Sequence, residues 1–246
     1  MPSPPLSADT MARLGRISTA TLCTQLFKLG LKTRYLTGLR PLRPDARMVG
    51  EAVTVRFVPA REDVTTYEAL GDPAYPQRHA IEHIVAGQVL VMDGRGVAGA
   101  ACAGDILVAR LQARGAAGLV ADAGIRDFVS AQASGLPIYA LGPAAPAHVA
   151  RLMAVDHGVP IGCADVLVLP GDIMVGDGDG VLCVPRAVAE TVAARGAEQE
   201  ALEAFVLEKI RGGAALPGTY PPGEAVRAEF EARRRAQPGG ASLPGS

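Results

Sequence analysis

The chain has 246 residues, 49% of them hydrophobic and 20% charged, with a formal net charge of -1 at pH 7. That length supports a sizeable core, and we expect one main domain with terminal extensions. The balanced charge argues against a nucleic-acid or membrane-surface binder. No segment reaches the roughly 20 apolar residues of a membrane span, and none resembles a signal peptide. We therefore expect a cytoplasmic protein.

The chain begins with a proline-rich segment, residues 2–5, which we expect to be a loose end. Ser7 is placed to cap a first helix that reaches about Gly15. Ser18 precedes a second helical pattern that Gly30 closes.

Strand patterns follow over residues 46–49 and, with alternating apolar side chains, over residues 52–57. Residues 58–80 are predicted to form a loop, with a short helix over residues 61–70. A loop of this length is often functional, and we expect it to help set the length of the bound ligand.

Four short apolar runs, at residues 89–92, 119–121, 138–140 and 166–169, are predicted strands. Residues 159–184 favour antiparallel strands and turns, with a turn at 177–180 and a last strand at 181–184. Residues 185–211 return to a helical pattern. Short strands separated by single helices indicate a mixed α/β layer structure.

These patterns divide the chain into an N-terminal extension (residues 1–15), a single α/β domain (16–220), and a C-terminal helix with a tail (221–246). The arginine run at 233–235 is interpreted as a solvated helix end. The final residues, 238–246, have the composition of a disordered segment.

Residues 94–99 spell GxGxxG directly after a predicted strand, which is the fingerprint of dinucleotide sites. The motif lies mid-chain, no helix opens at its second glycine, and no acidic residue follows at the required offset. We therefore interpret it as a glycine-rich active-site loop with close backbone packing.

His79 and His83 have the HxxxH spacing of two zinc ligands on one helix face, but no third ligand is evident nearby. We interpret them as polar surface residues, and assign no role to His148 or His157. The widely spaced cysteines contain no CxxC and are expected to be buried free thiols: Cys23, Cys102, Cys163 and Cys183.

The segment from Gly104 to Asp127, "GDILVARLQARGAAGLVADAGIRD", is the most informative part of the chain. It joins a Gly-Asp turn, one helix, one buried strand and an Arg-Asp pair. A helix amino terminus offers free N–H groups to an anion, while Arg126 and Asp127 offer a guanidinium and a hard oxygen ligand. This set suits a carboxylate substrate beside a divalent cation, although a surface ion pair that caps a turn is the simpler alternative.

This segment, together with "VPIGCADVLVLPGDIMVGDGDGVLCVP" (residues 159–185), resembles the family of class II 4-hydroxy-4-methyl-2-oxoglutarate aldolases and the related regulator of ribonuclease activity A, the RraA-like family. The resemblance covers about residues 15–220. It implies a swivelling β/β/α sandwich with helical extensions, assembled as a homotrimer or dimer of trimers, with the active cleft between subunits.

The resemblance also implies roles for particular residues. Asp127 resembles the aspartate that binds Mg²⁺ or Mn²⁺, and Arg126 the arginine that grips the pyruvyl carboxylate and enolate oxygen. Asp105 resembles the carboxylate that holds a water on the metal and passes on a proton. The backbone amides of Ile106 and Leu107, at the helix start after Gly104, resemble the pair that cradles the substrate carboxylate.

The sequence departs from the family pattern in two places: Ala123 replaces a glycine, and Ser130 stands where the aldolases place an acidic residue. A hydroxyl is a weaker partner for water on a metal than a carboxylate, which predicts altered metal affinity or reaction. The family also uses a glutamate from a neighbouring subunit's late helix, for which Glu203 is the best match and Glu200 the alternative.

Two functions remain open. The first is a metal-dependent lyase that cleaves a C–C bond of a small 2-oxo acid, by retro-aldol cleavage or oxaloacetate decarboxylation through a pyruvate enolate. The second is a non-catalytic ribonuclease-regulator-like binding protein. Retention of Asp105, Arg126 and Asp127 favours the enzyme. Methyl transfer to menaquinone has no supporting cofactor motif.

Overall fold

The computed structural model describes residues 6–236, which form two compact units. The first unit ends at Ala193 and the second begins at Ala194, whereas the sequence pattern placed the domain boundary near residue 220. The predicted loose start (residues 2–5) and disordered tail (238–246) lie outside the described residues.

The first unit is built on a mixed sheet flanked by helices, which confirms the predicted α/β class. Its strands are β1 (Arg40–Pro41), β2 (Met48–Pro59), β3 (Gln88–Ala103), β4 (Gly118–Ile125), β5 (Ile138–Pro143), β6 (Leu152–His157), β7 (Ile161–Cys163), β8 (Val166–Val168), β9 (Ile173–Asp177) and β10 (Gly180–Val184). Its helices before the last strand are α1 (Ala8–Leu14), α2 (Thr19–Lys28), α3 (Pro76–His83), α4 (Asp105–Ala113) and α5 (Phe128–Ala133).

The main sheet has the order β1-β5-β4-β3-β2-β9-β10, with β6 also pairing with β2. Strands β2 to β5 run parallel, while β1, β6, β9 and β10 pair antiparallel with their neighbours. Strands β7 and β8 form a separate antiparallel hairpin. The antiparallel arrangement predicted for residues 159–184 is therefore confirmed.

Both faces of the sheet are buried, as the near-continuous apolar runs of its parallel strands require. On one face, Leu90 and Met92 pack in a core with residues of α3 and α4 such as Ile81 and Leu111. On the other face, alternate β3 residues pack against the β7–β8 hairpin, for example Val91 near Cys163. The result is a helix, sheet and hairpin layering.

The predicted helix starts and stops at the N-terminus are confirmed. The Ser7 side chain accepts a hydrogen bond from Thr10 N at the start of α1, and Ser18 accepts one from Thr21 N at the start of α2. Gly30 has φ +83°, the left-handed conformation common just beyond a helix end.

The strand predictions at residues 46–49 and 52–57 are confirmed in type, but the break between them is wrong, because β2 runs unbroken from Met48 to Pro59. Gly50, which the pattern treats as a break, instead allows close packing: a Cβ there would collide with the Gly87 carbonyl and lie 2.9 Å from Val89 Cγ2. Strand β6, which was not predicted, pairs with the end of β2.

The helix predicted at residues 61–70 is also wrong. Only a short 3₁₀ turn, Glu68–Gly71, forms there, and the α-helix of this region is α3, beginning at Pro76. Proline at the first helical position lacks only an N–H that has no intrahelical partner. It is therefore a start signal, although the sequence analysis treated it as part of a loop.

The glycine-rich segment 94–99 is not a separate loop but an irregular part of β3. Between Met92 and Ala103, β3 uses eleven steps where β4 uses four, so the extra residues bulge out with Arg95 and Gly96 at positive φ. The next helix, α4, begins only at Asp105. The dinucleotide interpretation is therefore excluded by geometry as well as by sequence.

Helix α6 (Ala189–Arg211), predicted from residues 185–211, crosses the division between the units. In the second unit, its later turns pack on α7 (Glu224–Ala236) through Phe205, Val226 and Phe230. The arginine run is an exposed helix end, as predicted. Across residues 6–236, no helix combines the length and apolarity needed to cross a bilayer.

Candidate functional site

The site lies where the parallel strands β3 and β4 end side by side. Arg126 N donates a hydrogen bond of 2.9 Å to Ala103 O, which ties the residue after β4 to the end of β3. Gly104 is thereby pressed against the Arg-Asp pair: a Cβ on Gly104 would stand 2.7 Å from Arg126 Cγ and 2.7 Å from Asp127 Oδ2. Glycine is the residue type that permits this approach.

Helix α4 starts at this point, with Gly104 as its N-cap. Glycine has no side chain to cap the helix, so the amides of Asp105, Ile106 and Leu107 face the cavity without a capping partner. Val108 and Leu111 anchor the helix in the core, whereas the Ile106 side chain is 80% exposed. The first turn therefore offers backbone donors to an anion.

The Arg126–Asp127 pair has unused polar groups. Arg126 Nε lies 3.4 Å from Asp127 Oδ2, an ion-pair distance, yet the alignment gives no hydrogen bond and this buried N–H has no acceptor. Asp127 has φ +50° at the N-cap of α5, and its carboxylate makes no capping hydrogen bond. Both groups are available to a ligand.

These residues line one cavity of about 250 Å³. A cleft of this size suits an acid of a few carbon atoms. Gly104, Asp105, Ile106, Leu107, Arg126 and Asp127 all border it, so the sequence-predicted residues of the first unit lie together.

The remaining lining of the cavity, here called the unpredicted wall, was not found from the sequence. It consists of Tyr67 and Leu70 from the segment between β2 and α3, Gln77 and Arg78 from α3, and His148 from a short 3₁₀ turn. The wrong helix assignment concealed the α3 residues. Recognising Pro76 as a helix start would have placed Gln77 and Arg78 on a helix, but no sequence signal distinguishes His148.

His148 is held as a neutral imidazole. Its Nε2 lies 3.0 Å from the hydroxyl of Tyr75, within hydrogen-bond distance, and that hydroxyl also accepts a hydrogen bond from Ala154 N. Burial, and then the positive charge of Arg78, lower the pKa of His148 to about 4. With Nε2 engaged, His148 forms a rigid wall of the cavity.

The donor chemistry fits a hard divalent cation. Asp127 and Asp105 provide carboxylate oxygens, which Mg²⁺ and Mn²⁺ favour, and such ions keep several waters or substrate oxygens as ligands. Within the part of the chain that the structure describes, no three His, Cys, Asp or Glu side chains are placed to share a metal ion. That arrangement is unsuited to a closed zinc site.

Two further positions stand apart from the pair. Ser130 is exposed in α5, one turn after Asp127. Glu203 lies on α6 in the second unit, where its Oε1 accepts a hydrogen bond from Gln199. The role of Glu203, or of Glu200, in a neighbouring subunit's site stays a prediction.

The HxxxH pair lies on α3 with its rings stacked at 3.9 Å, and His157 stacks on His79 at 4.5 Å. Parallel stacked rings do not point their nitrogens at one ion. The cysteines are free as predicted: Cys23 is half-buried and the other three are buried, with thiol pKa values raised by burial.

Next to the cavity strands, the buried Asp122 organises the bulge of β3. Its carboxylate accepts hydrogen bonds from the amides of Gly94, Gly96 and Ala164. Burial and the nearby Asp93 raise the pKa of Asp122, whereas these three amide donors lower it.

Comparison with known proteins identifies relatives over most of the chain. A family model described as RraA-like, Aldolase/RraA, matches residues 19–183. A protein of Halalkalibacterium halodurans, provisionally named a 4-hydroxy-4-methyl-2-oxoglutarate aldolase, is 31% identical over 169 residues, covering 69% of this chain and 74% of the relative.

Solved structures agree with this match. The Streptomyces coelicolor protein RraAS2, described as an unusual member of the RNase ES inhibitor RraA family, is 33% identical with a TM-score of 0.74, covering 83% of this chain and 98% of that one. An uncharacterized protein from Pseudomonas syringae pv. tomato is 26% identical with a TM-score of 0.77, covering 89% and 100%.

Proposed function

Because the chain belongs to the RraA-like, Aldolase/RraA family, we propose that its cavity is the active site of a divalent-metal-dependent lyase that cleaves a C–C bond of a small 2-oxo acid. The observation that carries the proposal is the packing of Gly104 against Arg126 and Asp127. It places a guanidinium, a free carboxylate and an uncapped helix start around one small cavity.

In this proposal the substrate's 1-carboxylate binds the amides of Ile106 and Leu107 at the start of α4, where the helix dipole favours an anion. The Arg126 guanidinium donates to the 2-keto oxygen. Its unpartnered Nε–H gains an acceptor there, and its permanent charge stabilises the oxygen as it becomes an enolate.

The retro-aldol reaction begins when Asp105 takes the proton of the 4-hydroxyl, directly or through a water. The C3–C4 bond then breaks, C4 becomes a carbonyl, and the electron pair forms the pyruvate enolate. Return of the proton to C3 gives pyruvate. With oxaloacetate the same bond breaks to release carbon dioxide, and the same enolate is protonated.

Asp127, with support from Asp105, would hold Mg²⁺ or Mn²⁺, which when bound supplies further positive charge for the developing enolate. As the family resemblance implies, the site is proposed to lie between subunits of a homotrimer or a dimer of trimers. Glu203 or Glu200 of one subunit would complete the cavity of the next.

The test is a coupled assay of pyruvate release from oxaloacetate and from 4-hydroxy-4-methyl-2-oxoglutarate, with and without EDTA. Asp127→Asn is the informative variant, because asparagine accepts the left-handed backbone of this position while removing the charge. We expect EDTA to abolish turnover and the variant to lose about 100-fold or more in kcat.

Asp45→Asn is the matched control, since Asp45 is exposed, pairs with Arg43 and lies outside the cavity. It should retain wild-type activity, while a reaction without protein corrects for the spontaneous decay of oxaloacetate. Chelator-independent turnover, or full activity in Asp127→Asn, contradicts the proposed function.

A second candidate is a binding protein that regulates a ribonuclease. It is favoured by the 33% identity to the Streptomyces coelicolor protein described within an RNase inhibitor family. Inhibition of a ribonuclease by the wild type and equally by Asp127→Asn, without pyruvate release by either, supports this candidate over the lyase.

A further inference from the structure

The unpredicted wall of the cavity contains an arginine without an acidic partner. Arg78 is half-buried on α3, and its Nε donates to the carbonyl of Leu70 at 3.3 Å. Among residues 6–236, no carboxylate lies within ion-pair distance of its guanidinium, and the two terminal nitrogens make no hydrogen bond. Burial lowers the pKa of Arg78, which shows that its charge is partly desolvated.

Partial burial of an arginine without a counter-charge costs free energy, and a bound anion that pairs with the guanidinium offsets that cost. The other candidates at this wall do not provide one. His148 is neutral and bonded to Tyr75, and Gln77 uses its Nε2 on the Cys102 carbonyl. The Oε1 of Gln77 is itself buried without a partner, so this wall is left with both unused donors and an unused acceptor.

The lining of the cavity therefore contains two arginines from different elements. Its charged residues are Arg78, Asp105, Arg126 and Asp127, and Arg126 already has the carboxylate of Asp127 beside it. Under the proposed function, Arg126 receives the keto-acid end of the substrate. Arg78, on α3, is the remaining cation of the lining and is free to bind the rest of the substrate.

Both substrates of the proposed function carry a second carboxylate, and we propose that Arg78 is the residue that binds it and so determines the preference of the site for these acids over 2-oxo monocarboxylic acids. Gln77 Oε1 accepts a hydrogen bond from a hydroxyl of the same ligand or from a water. The proposal rests on the proposed function for its reaction, but its binding preference is measurable without turnover.

The binding test uses unreactive reduced analogues, malate for the dicarboxylate and lactate for the monocarboxylate, titrated calorimetrically with Mg²⁺ present. We expect wild type to bind malate at least about 10-fold more tightly than lactate, since a charge-assisted hydrogen-bonded pair is involved. Arg78→Met should lose the preference for malate while its affinity for lactate stays unchanged. Arg78→Lys should retain part of the malate preference.

The kinetic arm compares oxaloacetate decarboxylation with exchange of the pyruvate methyl protons in D₂O. Arg78→Met should lower kcat/KM for oxaloacetate about 10- to 100-fold and leave pyruvate exchange within about twofold. Arg110→Met is the matched control, because Arg110 forms an exposed ion pair with Glu82 outside the cavity.

If Arg78→Met loses affinity for malate and lactate equally, Arg78 only anchors the Leu70 turn, and the proposal is overturned. Absence of a malate preference in wild type, or its persistence in Arg78→Met, overturns it as well. A malate preference that depends on Arg78 in a protein that releases no pyruvate upholds the inference while refuting the lyase.

Discussion

At the scale of single residues, the cavity depends on how each polar side chain is constrained. Asp127 is fixed by a left-handed backbone, and Arg126 by the hydrogen bond from its amide to Ala103. Asp105 is fixed as the first residue of α4. The sequence placed Arg126 and Asp127 directly after a predicted strand, and the family resemblance pointed to Asp105; all three line one cavity, and their roles stay predictions.

His148 gives a pH prediction. Its pKa is about 4 in the fold against an ordinary 6.5, so between these values the unfolded chain binds more protons than the folded one. Stability is therefore full above about pH 6.5 and falls by about 3 kcal/mol as the pH drops to 4. Urea unfolding at pH 7 and pH 4.5 measures this.

The comparison that isolates the effect is His148→Gln, which has no titration in this window. Asp122 acts in the opposite direction, because its raised pKa makes the folded state keep a proton longer, and that contribution is common to both proteins. The variant should lose markedly less stability between pH 7 and pH 4.5 than wild type. Identical pH slopes mean that His148 is not held neutral.

At the scale of elements, the meeting of β3, β4 and α4 requires a glycine at position 104. In Gly104→Ala the new methyl group must displace the Arg126 side chain from its Cγ outward and the carboxylate of Asp127. Both side chains are partly exposed, so they can move without disturbing the core. We expect turnover to fall at least about 10-fold, since small displacements at a reacting centre are expensive, with a small change in Tm.

Gly99→Ala is the control for that experiment, because a Cβ at Gly99 meets no atom within 4 Å. Gly99 lies in β3, which ends one residue before Gly104, and its substitution should leave both activity and Tm near wild type. Equal activity in the two variants argues against a catalytic role for the packing at Gly104.

Elements could be predicted where local signals and tertiary packing agree. Capping serines defined α1 and α2, and apolar runs located the parallel strands. The failures came from glycines. Gly50 and the glycines of residues 94–99 suggested breaks, but they serve close packing and a bulge inside long strands. Those roles depend on neighbours that are distant in sequence.

The unpredicted wall of the cavity shows the same limit. Arg78 and His148 are 70 residues apart and meet only because α3 and the turn before β6 pack on one face of the sheet. Neither residue lies in a recognisable motif. Local sequence patterns therefore identified the cavity residues that belong to the β3–α4–β4 unit. They did not identify the residues that distant segments bring to the cavity.

At the scale of the whole molecule, the site occupies the carboxyl edge of parallel strands, the usual location of ligands in open α/β sheets. If Mg²⁺ and a keto-acid enolate bind there, they stabilise the fold by mass action. Oxalate, a planar dianion shaped like the enolate, is a suitable probe. At an oxalate concentration of about 100 times its Kd, binding should add about 2.7 kcal/mol to the free energy of unfolding.

For a protein of this size, that stabilisation corresponds to a rise in Tm of about 5 to 10 °C in a thermal melt. The rise should need both Mg²⁺ and oxalate and should disappear in Asp127→Asn, while Asp45→Asn behaves as wild type. An equal rise in Asp127→Asn places the ligands elsewhere on the protein.

The carboxylate of Asp122 gives the glycine motif of this chain an unexpected meaning. In a nucleotide-binding loop, backbone amides wait for a phosphate brought by the cofactor. Here those of Gly94 and Gly96 are already satisfied from within, by an anion that the polypeptide carries itself. A phosphate could bind these amides only by displacing the buried carboxylate of Asp122. Glycine spacing alone therefore indicates that the backbone can wrap around an anion. It does not distinguish the phosphate of a cofactor from a carboxylate of the same chain.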